Sequence, residues 1–343
     1  MRAPLLRSRV VPPVAAFVAA GALPAAMILA GGPWVWAALV LLAVAGPAAD
    51  AVLGRVLGEA GPDDRFPMAD AGLAVLALCH LAVLAVAVAR LAGDGLTVPE
   101  RVALFLAAGM YAGQVGHAVG HELIHRGSRA LFRLGAAVYV SILFGHHVSA
   151  HRLVHHAHVA TDADPNSARP GEGFWRFFVR AWAGSFRAGL AAERARAGRL
   201  GRLNPYWWWV GGGAALMLAV ACLTGPRGLA DYLGLCLYAQ VQVLLSDYIQ
   251  HYGLRRRIGP DGRTEPVGPR HAWDSPHPLS SLMLVNAPRH ADRHMNPARP
   301  YPALRLDPGR PLLPWPVAVM GAIALVPPLW RRVMDRRAAR MRG

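Results

Sequence analysis

Apolar residues along this chain come in long runs, and the segments between them are short, polar and rich in arginine. A helix needs about 20 mainly apolar residues to cross a bilayer. Six runs reach that length or come close: 10–31, 33–53, 70–92, 101–122, 206–224 and 229–250. A secretory leader competes for the first, because Arg2, Arg7 and Arg9 precede it; Pro12, Pro13 and Pro24 interrupt it, however, and no small-residue cleavage site leads into a soluble domain. Runs 130–147 and 313–330 are shorter or broken by Pro314, Pro316, Pro327 and Pro328, and predict re-entrant or interfacial helices. Residues 172–200 mix Trp175, Phe177, Phe178, Trp182 and Phe186 with spaced arginines, as in an amphipathic helix lying on a membrane face. Trp207, Trp208 and Trp209 then open the fifth span as an aromatic belt. With no internal repeat, residues 1–343 read as one all-α, membrane-embedded domain.

Composition agrees: 54% of residues are hydrophobic and 16% charged, against about a quarter charged in soluble domains. The net charge of +16 is carried by arginine alone, clustered at both ends and in the loops, which fits membrane topology better than nucleic-acid binding. The amino-terminal arm, the stretch from Arg126 to Arg202, and the tail from Arg331 to Arg342 are the basic segments. The positive-inside rule makes all three cytoplasmic, with both termini on that side. Cys79, Cys222 and Cys236 form no CxxC pair, so neither a disulfide framework nor an iron–sulfur centre is encoded. Electrons for any redox reaction come from another protein.

The chemistry lies in histidines at the span ends. His121-Glu122-Leu123-Ile124-His125 puts two imidazoles one helical turn apart; alone, it is also the zinc-protease signature with Glu122 as base. His151-Arg-Leu-Val-His155-His156 repeats the spacing and adds a neighbour. His251 ends the sixth span, and His290-Ala-Asp292-Arg293-His294 comes last. All four clusters fall at the same cytoplasmic boundary, although hydropathy and arginine alone define that boundary. Eight convergent imidazoles exceed one ion's coordination and imply two metals, without choosing which. His80, His117, His146 and His147 read as ordinary polar residues at the membrane edge.

These boxes, with Val159-Ala160-Thr161, Asp164-Pro165, Tyr248-x-x-His251-Tyr252-Gly253-Leu254, Pro47-Ala-Ala-Asp50 and His271-Ala-Trp273, resemble the membrane-bound alkane 1-monooxygenases of the fatty-acid desaturase and hydroxylase superfamily. The resemblance implies a protein of the bacterial inner membrane with a desaturase-like fold and a cytoplasm-facing cage for two irons. It places His121, His125, His151, His155, His156, His251, His290 and His294 on those irons. It also implies rubredoxin as electron donor, dioxygen as oxidant, and hydroxylation of the terminal carbon of an alkyl chain that enters from the lipid. Glu122 and Asp292 are then expected beside the ligands, orienting imidazoles. Arg152, Arg255, Arg256, Arg257 and Arg289 form a basic face for an acidic donor or for lipid headgroups.

The chain departs from the family at three positions. Arg293 stands where the last box has a further histidine, and Ala150 and Gln250 replace glutamates. Asp292 or a water is the candidate to fill the place of the missing ligand. Competing functions are a lipid desaturase or fatty-acyl hydroxylase, an intramembrane zinc protease, and a relative that keeps the fold without turnover.

Overall fold

The computed structural model describes residues 6–8, 12–53, 56–61, 63–201, 203–306 and 309–342. Arg2, Arg9 and Arg202, which help to orient the chain, lie outside the described residues. Helices carry nearly all of the fold. They are α1 (Val14–Ala30), α2 (Pro33–Leu53), α3 (Ala69–Ala92), α4 (Val98–Ile124), α5 (Arg129–Ser141), α6 (147–158), α7 (Phe174–Leu200), α8 (Tyr206–His251), α9 (Pro278–Met283), α10 (His290–Met295), α11 (Val317–Ala324) and α12 (Pro327–Arg342). A short parallel pair, Leu6–Ser8 with Val56–Gly58, is the one sheet among the described residues.

Among the described residues four helices are long and apolar enough to cross a membrane: α2, α3, α4 and α8. The expected first span, α1, has 17 residues and stops short of that length. The expected fifth and sixth spans are two arms of α8. At Gly225 the backbone takes φ 68° and ψ −172°, a conformation open essentially to glycine alone, and Pro226 comes next without an N–H to continue the ladder. A straight helix of 46 residues would extend about 69 Å. Instead both ends return to one side: Trp209 near the start donates to Ser149 Oγ at 2.9 Å, and His251 at the end joins the histidine clusters.

Ion pairs mark the two ends of the bundle. Asp70 at the start of α3 meets Arg126 just past α4 at 3.2 Å, on the histidine side. At the opposite end Arg227 meets Asp94, between α3 and α4, at 2.5 Å. There α4 begins in a capping box in which Thr97 N–H donates to Glu100 Oε2 at 2.8 Å, with Pro99 in the first turn.

On the histidine side, α7 is the expected amphipathic helix. Phe174, Phe177 and Ala181 face inward while Arg176 and Val179 are exposed, and Gly201 ends it in the left-handed conformation. The run 130–147 becomes α5, packed along α4, and 313–330 becomes α11 with the start of α12. Asp50, at the end of α2, accepts from the first N–H groups of α9, Leu279 at 2.7 Å and Ser280 at 2.8 Å, and so ties a span to the loop that precedes α10.

Three stretches wind as π-turns, Leu41–Ala45 in α2, Ala112–Gly116 in α4 and His151–His155 in α6. Such turns cluster at functional sites because each inserts an extra residue and rotates the side chains beyond it.

Candidate metal centre

The fold gathers all eight histidines of the four boxes into two groups of four. His121, His125, His151 and His156 form one, and His155, His251, His290 and His294 the other; in each, one ring nitrogen per residue lies within 4.8 Å of the rest. In the first group the Nε2 atoms of His125 and His151 stand 3.2 Å apart and those of His151 and His156 3.0 Å, with the His121 ring 4.5 Å from that of His151. In the second, the Nε2 of His290 is 2.9 Å from that of His251 and 3.0 Å from that of His294. The groups adjoin, the rings of His156 and His294 being 4.6 Å apart.

This arrangement fits metal ions. Both ring nitrogens of His121 and the Nε2 of His155 are buried without a hydrogen-bond partner among the described residues. An unsatisfied buried polar atom costs about 1–3 kcal/mol, so nitrogens turned toward a common centre need an acceptor of their lone pairs. An all-imidazole set suits iron, copper, zinc or nickel.

The outer ring nitrogens are held by the protein. His155 Nδ1 bonds Asp164 Oδ2 at 2.8 Å, and Asp164 also accepts from Ser167 Oγ at 2.6 Å and from the Asn166 N–H at 3.0 Å. Burial opposes charge on both partners, yet their attraction and these hydrogen bonds hold the Asp164 carboxyl below its ordinary value and the His155 imidazole above. His251 Nδ1 donates to the His271 carbonyl at 3.1 Å. Asp274 accepts from the Ala291 N–H at 2.8 Å and so fixes the start of α10. Sequence reasoning missed these roles for Asp164 and Asp274, although the Asp164-Pro165 motif lies only nine residues beyond His155.

Several expectations are corrected. Glu122 meets guanidinium groups, not an imidazole: it pairs with the buried Arg293 and, at 3.4 Å, with Arg126. Being so engaged, it is no free base for a zinc protease. Arg293 also donates to the carbonyls of Pro297 and Arg299, both at 2.8 Å, so it anchors α10 and does not stand in the cage. Asp292 accepts from Asn296 at 3.0 Å, Arg299 at 2.5 Å and the Arg305 N–H at 2.9 Å, and fills no ligand position. Gln250 accepts from Ser246 at 3.0 Å. Ala150 sits where α7 passes close by: a Cβ on Gly189 would lie 3.1 Å from the Ala150 nitrogen. Arg289 is buried and donates to the carbonyls of Gly58 and Leu304 at 2.7 and 2.6 Å, which removes it from the basic face.

The four histidines expected at the membrane edge are drawn into the bundle. His80 bonds Ser141 at 2.9 Å, His117 takes a bond from the Tyr139 hydroxyl at 3.0 Å, and His146 lies 3.4 Å from Ser185. His147 stacks on His151 with centroids 5.2 Å apart. Close packing of α3, α5 and α7 buries His80, His146 and His147 and partly covers His117, which span-end position alone does not reveal.

A mostly apolar cavity of about 460 Å³ lies between α2, α4, α8 and α11. Along α4 it is lined from Leu106 to His117 and Ala118, about 16 Å of helix rise. It therefore stops one turn short of His121. Gln114 and Gln242 face it: Gln114 Nε2 donates to Gln242 Oε1 at 3.0 Å, and Gln242 Nε2 to the Gly109 carbonyl at 2.9 Å.

Known proteins are similar to this chain in sequence. A model of the fatty acid desaturase family matches residues 99–307. Alkane 1-monooxygenase 1 of Pseudomonas aeruginosa is 33% identical over 320 residues, covering 88% of this chain and 83% of that protein. Alkane 1-monooxygenase of Pseudomonas putida is 33% identical over 262 residues, 75% of this chain but 65% of the relative, just under two thirds of its length. The hydroxylase component of a xylene/toluene monooxygenase from Pseudomonas putida is 26% identical over 224 residues, 62% of this chain and 57% of that protein.

Proposed function

The chain is an oxidoreductase that belongs to the fatty acid desaturase family, and on that premise we propose that it is a membrane monooxygenase hydroxylating the terminal carbon of alkanes or similar alkyl chains. The observation that carries this reading is the apolar cavity ending one turn from the histidine groups. A cavity of 300–1,000 Å³ is the usual size for a small-molecule site. One lined mostly by leucines and small residues, with few polar groups, offers a substrate apolar contact area, as an unfunctionalised chain requires.

Two irons would be held by the two groups of four imidazoles, with dioxygen as oxidant and a rubredoxin-type protein as electron source. Bound iron supplies the oxidising power that an unactivated C–H bond demands and that side chains lack. The protein's part is placement. Asp164 holds His155 with its Nε2 turned inward, and the His271 carbonyl does the same for His251. The walls of the cavity exclude water and aim the chain end at the cage. The Arg255–Arg257 run gives the donor a basic face, with Arg255 also paired to Asp162 at 3.3 Å. Cytoplasmic termini and an inner-membrane location complete the proposal.

The test is elemental analysis of detergent-purified protein, followed by turnover of octane with reduced rubredoxin. Two irons per chain and 1-octanol as product are expected. One zinc without iron, or full activity after alanine replacement of His290 and His294, overturns the reading. An alkene product from an acyl substrate would make the protein a desaturase instead.

A further inference from the structure

A second cavity, of about 720 Å³, opens on the histidine side of the bundle between α5, α6, α7 and the start of α8, away from the alkyl cavity. Four arginines line it, Arg129 and Arg133 on α5, Arg152 on α6 and Arg196 on α7. The single acid among the lining residues is Glu193, which is buried and accepts from Ser149 Oγ at 2.7 Å. None of the four arginines has an ion pair among the described residues; Arg152 lies over the Phe132 ring, 4.9 Å from its centroid. Three helices thus bring four positive charges to one concave site with only Glu193 against them, an excess of three. Such a set suits a phosphate or carboxylate, which guanidinium groups bind in a fork.

The rest of the lining says what the anion is attached to. Between the arginines lie Phe132, Val140, Val148 and Leu153, and at the mouth stand Trp208, 69% exposed, and Leu203, 80% exposed. Trp207 and Val210 continue that exposed apolar surface up the first arm of α8. An interfacial tryptophan belt marks the depth of lipid headgroups. A soluble anion has no use for an apolar floor that continues into an apolar, lipid-facing helix. We propose that this cavity is a binding site for one anionic phospholipid, its phosphate held by Arg133, Arg152 and Arg196 and an acyl chain laid along the exposed start of α8. The lipid braces the outer side of α6, whose inner side carries His151, His155 and His156. This inference needs the chain to sit in a membrane but does not depend on alkane hydroxylation.

The test counts phospholipids extracted from the full-length protein after purification in neutral detergent. Wild type is expected to retain about one phosphatidylglycerol or cardiolipin per chain, and Arg133→Gln with Arg196→Gln to reduce that at least fivefold. Arg176→Gln, which removes an exposed charge of α7 outside the cavity, is expected to retain it. Ala137→Trp fills the cavity without changing charge; it is expected to expel the lipid too, and it decides the matter if the double variant fails to fold. Equal retention of phosphatidylethanolamine, equal loss in Arg176→Gln, or full retention in Ala137→Trp overturns the proposal. So does stabilisation against heat by inorganic phosphate or a free fatty acid matching that by phosphatidylglycerol vesicles.

Discussion

Individual side chains decide how firmly the cage is held. Asp164 is the carboxylate behind His155, and its other hydrogen bonds come from Ser167 and Asn166. Replacing such a partner weakens metal binding about 10–100-fold. Asp164→Asn is expected to lower metal affinity by that factor in a chelator competition titration, with circular dichroism unchanged. Arg293 raises the opposite question, whether restoring a histidine helps. The two groups of four are complete without it, and its guanidinium satisfies buried Glu122, which adjoins His121 on α4, from the helix that carries His290 and His294. Removing one partner of a buried ion pair costs about 3–5 kcal/mol. Arg293→His is therefore expected to lower the unfolding temperature by several degrees and leave the iron content no higher. Removing both charges, with Arg293→Met and Glu122→Met, should destabilise less than Arg293→Met alone. That Arg293 departs from its family was legible in the sequence. That it pairs with Glu122, 171 residues away, was not, because no local pattern links them.

At the scale of elements, the spacing of histidines misleads in one place. His121 and His125, one α-helical turn apart, do share a group, whereas His151 and His155 have the same spacing and are divided between the two. The π-turn His151–His155 is the cause. In its wider winding residue i meets residue i+5, so His151 aligns with His156, their Nε2 atoms 3.0 Å apart, and His155 faces the second group. One turn of α6 thereby serves both groups. Apolar runs and span ends were readable from periodicity, and so was the convergence of the boxes at one boundary. A single inserted residue leaves no comparable trace, nor do the carbonyl and carboxylate partners that reach the imidazoles from distant loops.

For the whole molecule, what matters is that the two histidine groups and the apolar cavity are built by the same helices. The second π-turn, Ala112–Gly116, lies in α4 where that helix lines the cavity, just before His117 and His121. The wall opposite comes from the second arm of α8, which ends in His251, and the sides from α2 and α11, where Leu325 reaches the exposed surface. A substrate drawn from the lipid would therefore lie along the spans with its end at the cage, and the depth of the cavity would set the length of chain accepted. Met110 lines it two turns before His117. Met110→Trp shortens the space beyond that point, and each methylene group that no longer fits forfeits about 0.8 kcal/mol, roughly fourfold in kcat/KM. A chain three methylenes too long then loses about sixtyfold on the same basis. The expected outcome is a fall of tenfold or more in kcat/KM for dodecane relative to octane, with kcat on octane within twofold of wild type, and the reverse preference in Met110→Ala. An unchanged ratio in both variants would mean that the chain reaches the histidines by another route, since nothing else between Leu106 and His117 would then be sensing its length.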